Sequence, residues 1–306
     1  MKNFKFKPLC LVLVSVLVLT LFCAWHGVQY LFVVSPQEVV ESFKKKQSLL
    51  TEEEINNHGK QFVGNFDSYL IYARASEIVY NENSTEQLEE LLPQHNFKTT
   101  KGYDESCLKI EVGASKELKQ LLVIFRGTVP TCSSNLLANL THGAFGNSAL
   151  YSDARAFVKK TLTDKRYGSY SVVFTGHSLG GSLAINNGVY FGNSDVYTFN
   201  TAFPNSFGVD AAQVNKYLDV EKKLVTRSNV TNLVLEGDEV AGKAMFRFHG
   251  LIGETFMLFH TDIAPRKKFN HPISEIVYKL EIASDWDLNK IEQLGRASYV
   301  SSIMTF

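Results

Sequence analysis

Ser171-VVFT-Gly176-His177-Ser178-Leu179-Gly180-Gly181 passes from a β-branched and aromatic segment through a glycine turn to the apolar positions Leu183, Ala184 and Val189. This order predicts a buried strand, a tight turn and a helix. Gly176 and Gly180 flank Ser178 at the spacing of a nucleophile elbow, a turn so tight that side chains at the flanking positions clash. The helix that starts just after the serine aims free N–H groups and its positive dipole end at the reacting atom. A glycine turn with an idle serine is common by chance, so the rest of the chain must supply the partners.

Outward from this turn, Cys107-LKIEV-Gly113 and Leu121-VIF-Arg126 read as consecutive strands joined by the polar turn around Ser115 to Gln120. Phe66, Tyr69, Leu70, Ala73 and Ile78 recur at helical intervals, as do Ala154, Phe157, Val158 and Leu162 within Asp153 to Leu162. Asp195-VYTFN-Thr201 completes a strand, helix, strand unit, Val230-TNLVLE-Gly237 adds a strand, and Ile273, Ile276, Val277 and Leu280 mark a late helix. Alternating strands and helices predict an α/β class: a mostly parallel central sheet with helices on both faces.

The chain has 306 residues, 45% of them hydrophobic, which suffices for a substantial core. Lysine plus arginine and aspartate plus glutamate number 31 each, so no basic excess points to nucleic acid. Lys2, Lys5 and Lys7 precede an apolar run from Leu9 to Val34. Its length exceeds that of a signal-peptide core and suits a spanning helix of about 20 residues, so residues 1–34 read as an uncleaved signal anchor. A cleaved signal peptide ending near Gly27 is the alternative. Either way the following domain lies on the extracytoplasmic side, membrane-anchored or secreted. Residues 35–61 read as a polar helical stalk, and residues 62–306 as one catalytic domain. Cys107 and Cys132 fall in the globular part, where a disulfide and two free buried thiols are both open. No CxxC pair or HExxH helix occurs, and neither a metal nor another cofactor is indicated.

A serine hydroxyl needs a base to take its proton and a carboxylate to orient that base. With the order serine, acid, histidine, both partners follow Ser178. Asp238 sits where Val230-TNLVLE-Gly237 ends, at the carboxyl end of a strand, with Glu236 and Glu239 as local competitors. Of the later histidines, His271, which opens a loop at the entry to the last-mentioned helix, is the expected base, with His260 next. His260 follows an apolar element, and His249 lies only about a dozen residues past the acid. His177 is expected to be a structural hydrogen-bonding residue. The oxyanion donors are expected to be the backbone N–H of Leu179 and, from the end of an earlier strand, Thr128 in Phe125-Arg126-Gly127-Thr128.

Phe125-Arg126-Gly127-Thr128, Gly176-HSLGG-181, Val196-YTFN-200 and the later Gly237-Asp238 together resemble the class 3 lipases, and among them the shorter bacterial-type members. The likeness covers roughly residues 62–280 and implies an α/β-hydrolase fold, preceded here by the N-terminal membrane helix. It also implies Ser178 as nucleophile, Asp238 as acid, a C-terminal histidine as base, and Thr128 with Leu179 as oxyanion donors. Thr141-His142-Gly143-Ala144-Phe145 is a partial match to the family's His-x-Gly-Phe signature, and the short interval from Thr128 to Ser178 implies a reduced lid. The implied activity is hydrolysis of lipid esters, of lipase or phospholipase A1 type. The partners are then a lipid or ester substrate and the membrane. A non-catalytic lipase-like binding module is the competing expectation.

Overall fold

The computed structural model describes residues 41, 44–45, 47–105, 107–129, 132, 149–202, 229–238, 240–241, 253–258 and 271–301. Ahead of the sheet, the described residues include the helices α1 (Glu52–Gly64), α2 (Phe66–Ile78) and α3 (Ser84–Leu91). Then follow β1 (Lys98–Glu105), β2 (Leu108–Ser115), β3 (Gln120–Phe125), α4 (Ala149–Leu162), β4 (Ser171–His177), α5 (Leu179–Phe191), β5 (Ser194–Phe199), β6 (Asn229–Leu235) and β7 (Glu254–Leu258). The chain closes with α6 (Ile273–Ser284), α7 (Leu288–Ser298) and β8 (Tyr299–Ser301).

The strands form one eight-stranded sheet in sequence order. β3 through β7 are parallel, and antiparallel pairs flank them on either side. Alternation along each strand divides the core in two. Leu122, Ile124 and Val173 face the cluster built with α2, α3 and α6. Leu121, Val123, Phe125, Val172 and Phe174 face the cluster that holds α4 and α5. A mostly parallel sheet covered on both faces, with the serine turn leaving the carboxyl end of β4, is the α/β-hydrolase arrangement.

The region ahead of residue 62 differs from the expected stalk. Thr51 caps α1 through a reciprocal box: the Glu54 N–H donates to Thr51 Oγ1 at 3.2 Å, and the Thr51 N–H donates to Glu54 Oε2 at 2.8 Å. The helix then packs against α7 with no room between the backbones. A Cβ at Gly59 would lie 2.5 Å from Arg296 Cγ, and one at Gly295 would lie 2.5 Å from Phe62 Cβ. Phe62 is fully buried, its ring 4.9 Å from that of Phe256 on β7. Gln47 also donates to the carbonyls of Arg296 and Ala297. The described residues from 47 onward therefore belong to the domain, because their few apolar side chains and glycines meet a C-terminal helix far away in sequence. Residues 1–34, expected as a membrane anchor, lie outside the described residues. Among the described residues no helix is long and apolar enough to cross a membrane.

Truncating a fully buried aromatic typically costs 3–5 kcal/mol. Phe62→Ala is expected to lower the unfolding free energy by about that amount in urea titration. A loss under about 1 kcal/mol would return α1 to the role of a loosely attached stalk.

Candidate active site

The elbow is set by register. Phe125 on β3 pairs with Gly176 on β4, so Arg126-Gly127-Thr128 leave the sheet beside His177-Ser178-Leu179. The first turn of α5 then comes to within contact of both strand ends. A Cβ on Gly176 would lie 2.4 Å from the carbonyl carbon of Gly180, and one on Gly180 would lie 2.2 Å from the Phe125 carbonyl oxygen. Ser178 takes φ 57°, ψ −125°, a conformation that costs a non-glycine residue about 1–3 kcal/mol. Four backbone hydrogen bonds hold it there. Its N–H donates to Phe199 O at 3.1 Å, and its carbonyl accepts from Gly181, Ser182 and Ala202. Leu179 is the first residue of α5, so its N–H has no partner within the helix by position.

Asp238 follows β6 in a turn closed by its own N–H to Leu235 O, and its side chain is fully buried. Oδ1 accepts the backbone N–H groups of Val240 and Ala241, at 2.9 and 2.6 Å. Oδ2 lies 2.9 Å from His271 Nδ1. His271 Nε2 lies 2.8 Å from Ser178 Oγ. With Nδ1–H donating to the carboxylate, Nε2 is left as the acceptor for the serine hydroxyl. Three residues from the ends of β4 and β6 and the start of α6 thus form one continuous chain, in the sequence order serine, acid, histidine. Glu236 is half-buried one turn before the acid, with no place in this chain. Glu239, His249, His260 and the Thr141 to Phe145 segment lie outside the described residues.

His177 is 5% exposed. Its Nε2 lies 2.7 Å from the His271 carbonyl, which can only accept, so Nε2 carries the proton. Its Nδ1 then accepts from the Tyr80 hydroxyl at 2.9 Å. Burial above all, and then the nearby His271, pushes its pKa down to about 3. Asn200 and Tyr80 also converge on the site, though neither residue type carries a catalytic signature. Asn200 Nδ2 donates to the His271 carbonyl at 3.3 Å, while its Oδ1 accepts the Leu235 N–H at 2.8 Å. The only sequence hint was the placement of Asn200 at a strand end in Val196-YTFN-200. A disulfide joins Cys107 to Cys132, tying the segment after Thr128 to the start of β2.

The buried imidazole has a predictable effect on stability. Unfolded, it binds a proton near its ordinary value of 6.5; folded, only near about 3. Between these values the unfolded state binds more protons, so stability falls as pH falls. From pH 7 to pH 5 this group is expected to cost the native protein about 2 kcal/mol. His177→Gln, which has no proton to bind, is expected to show that much less pH dependence in chemical denaturation at the two pH values. Parallel curves for the two proteins would place His177 in a more solvated environment.

A family model described as Phospholipase-like, Tle-like phospholipase domain, matches residues 68–241. That interval contains Thr128, Ser178, Leu179 and Asp238. No curated protein matches. Among solved structures, the lipase from Rhizopus microsporus var. chinensis is 18% identical, with 64% of this chain and 75% of that one covered and a TM-score of 0.44. The Rhizomucor miehei triacylglyceride lipase is 20% identical, with 68% and 82% covered and a TM-score of 0.44. The Yarrowia lipolytica lipase is 16% identical, with 64% and 79% covered and a TM-score of 0.43. These are likenesses only, and the fold assignment rests on the chain's own sheet. The family match spans more than half of the 306 residues, and the chain belongs to the Tle-like phospholipase domain family.

Proposed function

We propose that this chain is a serine hydrolase that cleaves carboxylic esters of phospholipids, and of lipids more broadly, through an acyl-enzyme. The observation that carries this reading is the unbroken chain from buried Asp238 through His271 to Ser178 Oγ. Family membership supports the choice of lipid esters. Ser178 Oγ attacks the ester carbonyl as His271 Nε2 takes its proton. The carbonyl oxygen, now an oxyanion, sits against the N–H groups of Thr128 and Leu179, fixed before substrate arrives. Collapse breaks the acyl–oxygen bond, and the His271 Nε2–H returns its proton to the departing alcohol. From a phospholipid that alcohol is the lysolipid. Water, activated by the same imidazole, then releases the fatty acid and regenerates Ser178.

The setting of the domain is part of the proposal. Residues 1–34 carry it on or through a membrane, with the catalytic part on the extracytoplasmic side. The Cys107–Cys132 disulfide suits an oxidising compartment. A nucleophile held beside a bilayer meets its lipid substrate without a soluble carrier.

Phosphatidylcholine vesicles and a series of p-nitrophenyl esters test the reading. Wild type is expected to release fatty acid. Ser178→Ala and His271→Ala are each expected to lose at least about 10³-fold in kcat while melting within a few degrees of wild type. Full activity in His271→Ala would move the base to His260 or His249. Folded wild type that hydrolyses no ester would favour a binding module instead.

A further inference from the structure

His271 sits on a loop, and its two side-chain hydrogen bonds alone do not fix where that loop rests. Its backbone carbonyl is held by donors from two other elements: His177 Nε2–H at the end of β4 and Asn200 Nδ2 at the end of β5. The His177 link continues, because Tyr80 O–H donates to His177 Nδ1 at 2.9 Å. The Tyr80 oxygen in turn accepts the Gly127 N–H, one residue before Thr128. Space there is closed as well. A Cβ on Gly127 would lie 2.1 Å from the Tyr80 hydroxyl and 2.7 Å from the His177 carbonyl. The rings of His177 and His271 pack 4.8 Å apart.

The geometry orders the bonds in this chain, with the Tyr80 O–H 2.9 Å from His177 Nδ1 against 3.4 Å from the His177 carbonyl. The His271 carbonyl accepts only, so His177 must donate from Nε2. Its bare Nδ1 must then accept, so the Tyr80 hydroxyl must donate and leave its oxygen for the Gly127 amide. One buried path therefore runs from the oxyanion turn, past the residue beside the nucleophile, to the backbone of the base.

We propose that His177, oriented by Tyr80, is a positioning residue that sets the His271 loop in register with the Thr128 turn. This assignment rests on the hydrolase reading above. Neither side chain touches the reacting atoms, and their effect is to keep His271 Nε2 on line with Ser178 Oγ while the oxyanion donors stay in place. A base displaced by about 1 Å costs on the order of 10²-fold in rate.

The test uses the full chain and p-nitrophenyl butyrate, with kcat expressed per site titrated by a fluorophosphonate. His177→Leu removes both hydrogen bonds and is expected to lower kcat about 100-fold with KM within about two-fold. His177→Gln carries an N–H close to the position of Nε2 and is expected to recover to within about 10-fold of wild type. Tyr80→Phe deletes one oxygen, leaves His177 Nδ1 and the Gly127 N–H without that partner, and is expected to lose about 10-fold in kcat while still melting cooperatively at a midpoint lowered by several degrees. Wild-type kcat in His177→Leu, or equal deficits in the Leu and Gln variants, would overturn the assignment. Should His177→Leu not fold, Tyr80→Phe decides, and wild-type kcat there overturns it. Failure of the underlying reading looks different, because wild type itself then turns over no ester.

Discussion

The contact between the first turn of α5 and the ends of β3 and β4 is the constraint from which the site follows. Gly180 rests on the Phe125 carbonyl and Gly176 on the backbone of Gly180, with no space for a single carbon. This contact forces Ser178 into its positive-φ turn and lifts its Oγ off the end of the sheet. The β3–β4 register also brings Arg126-Gly127-Thr128 out of the sheet beside the segment that carries Ser178. A side chain at either glycine would push the Ser178 turn away from the ends of β3 and β4.

Around that contact the protein buries polar groups, and almost each one at the site has a defined partner. Asp238 has no exposed side-chain surface, yet two backbone N–H groups and the His271 imidazole saturate its oxygens. His177 is kept neutral by burial and still satisfies both ring nitrogens. Asn200 uses its amide at both ends, tying the strand that leads to Asp238 to the loop that carries His271. Low dielectric strengthens such bonds and penalises any left unmade, so the arrangement is fixed before a substrate enters.

Much of this was legible in the sequence because the relevant signals are local. Ser171 to Gly181 declares a strand, a turn and a helix within eleven residues, and Asp238 follows a strand marked by its own apolar run. The Leu121 to Arg126 strand and the helices starting near Phe66 and Ile273 are likewise local patterns. The parts that sequence reading missed depend on distant partners. β1 is polar along most of its length, since it is an edge strand with half or more of its side chains toward water. α7 has only a narrow apolar face, and it exists as a packed element because Gly59 and Phe62 of α1 receive it. The same holds for α1, whose charged first turn resembles a stalk until the capping box and the α7 contact are seen together. Tyr80 and Asn200 carry no catalytic signature, because their role is to hold a backbone, which only the fold brings within reach.

The proposed reaction depends on Ser178 being a nucleophile activated by His271, the imidazole that Asp238 orients. The most direct measurement is covalent labelling with a fluorophosphonate, followed by peptide mass spectrometry to locate the adduct. One phosphonyl group per chain is expected, on Ser178, with labelling absent in Ser178→Ala and slowed at least about 10²-fold in His271→Ala. An adduct at another residue, or folded protein that takes up no label, would contradict it.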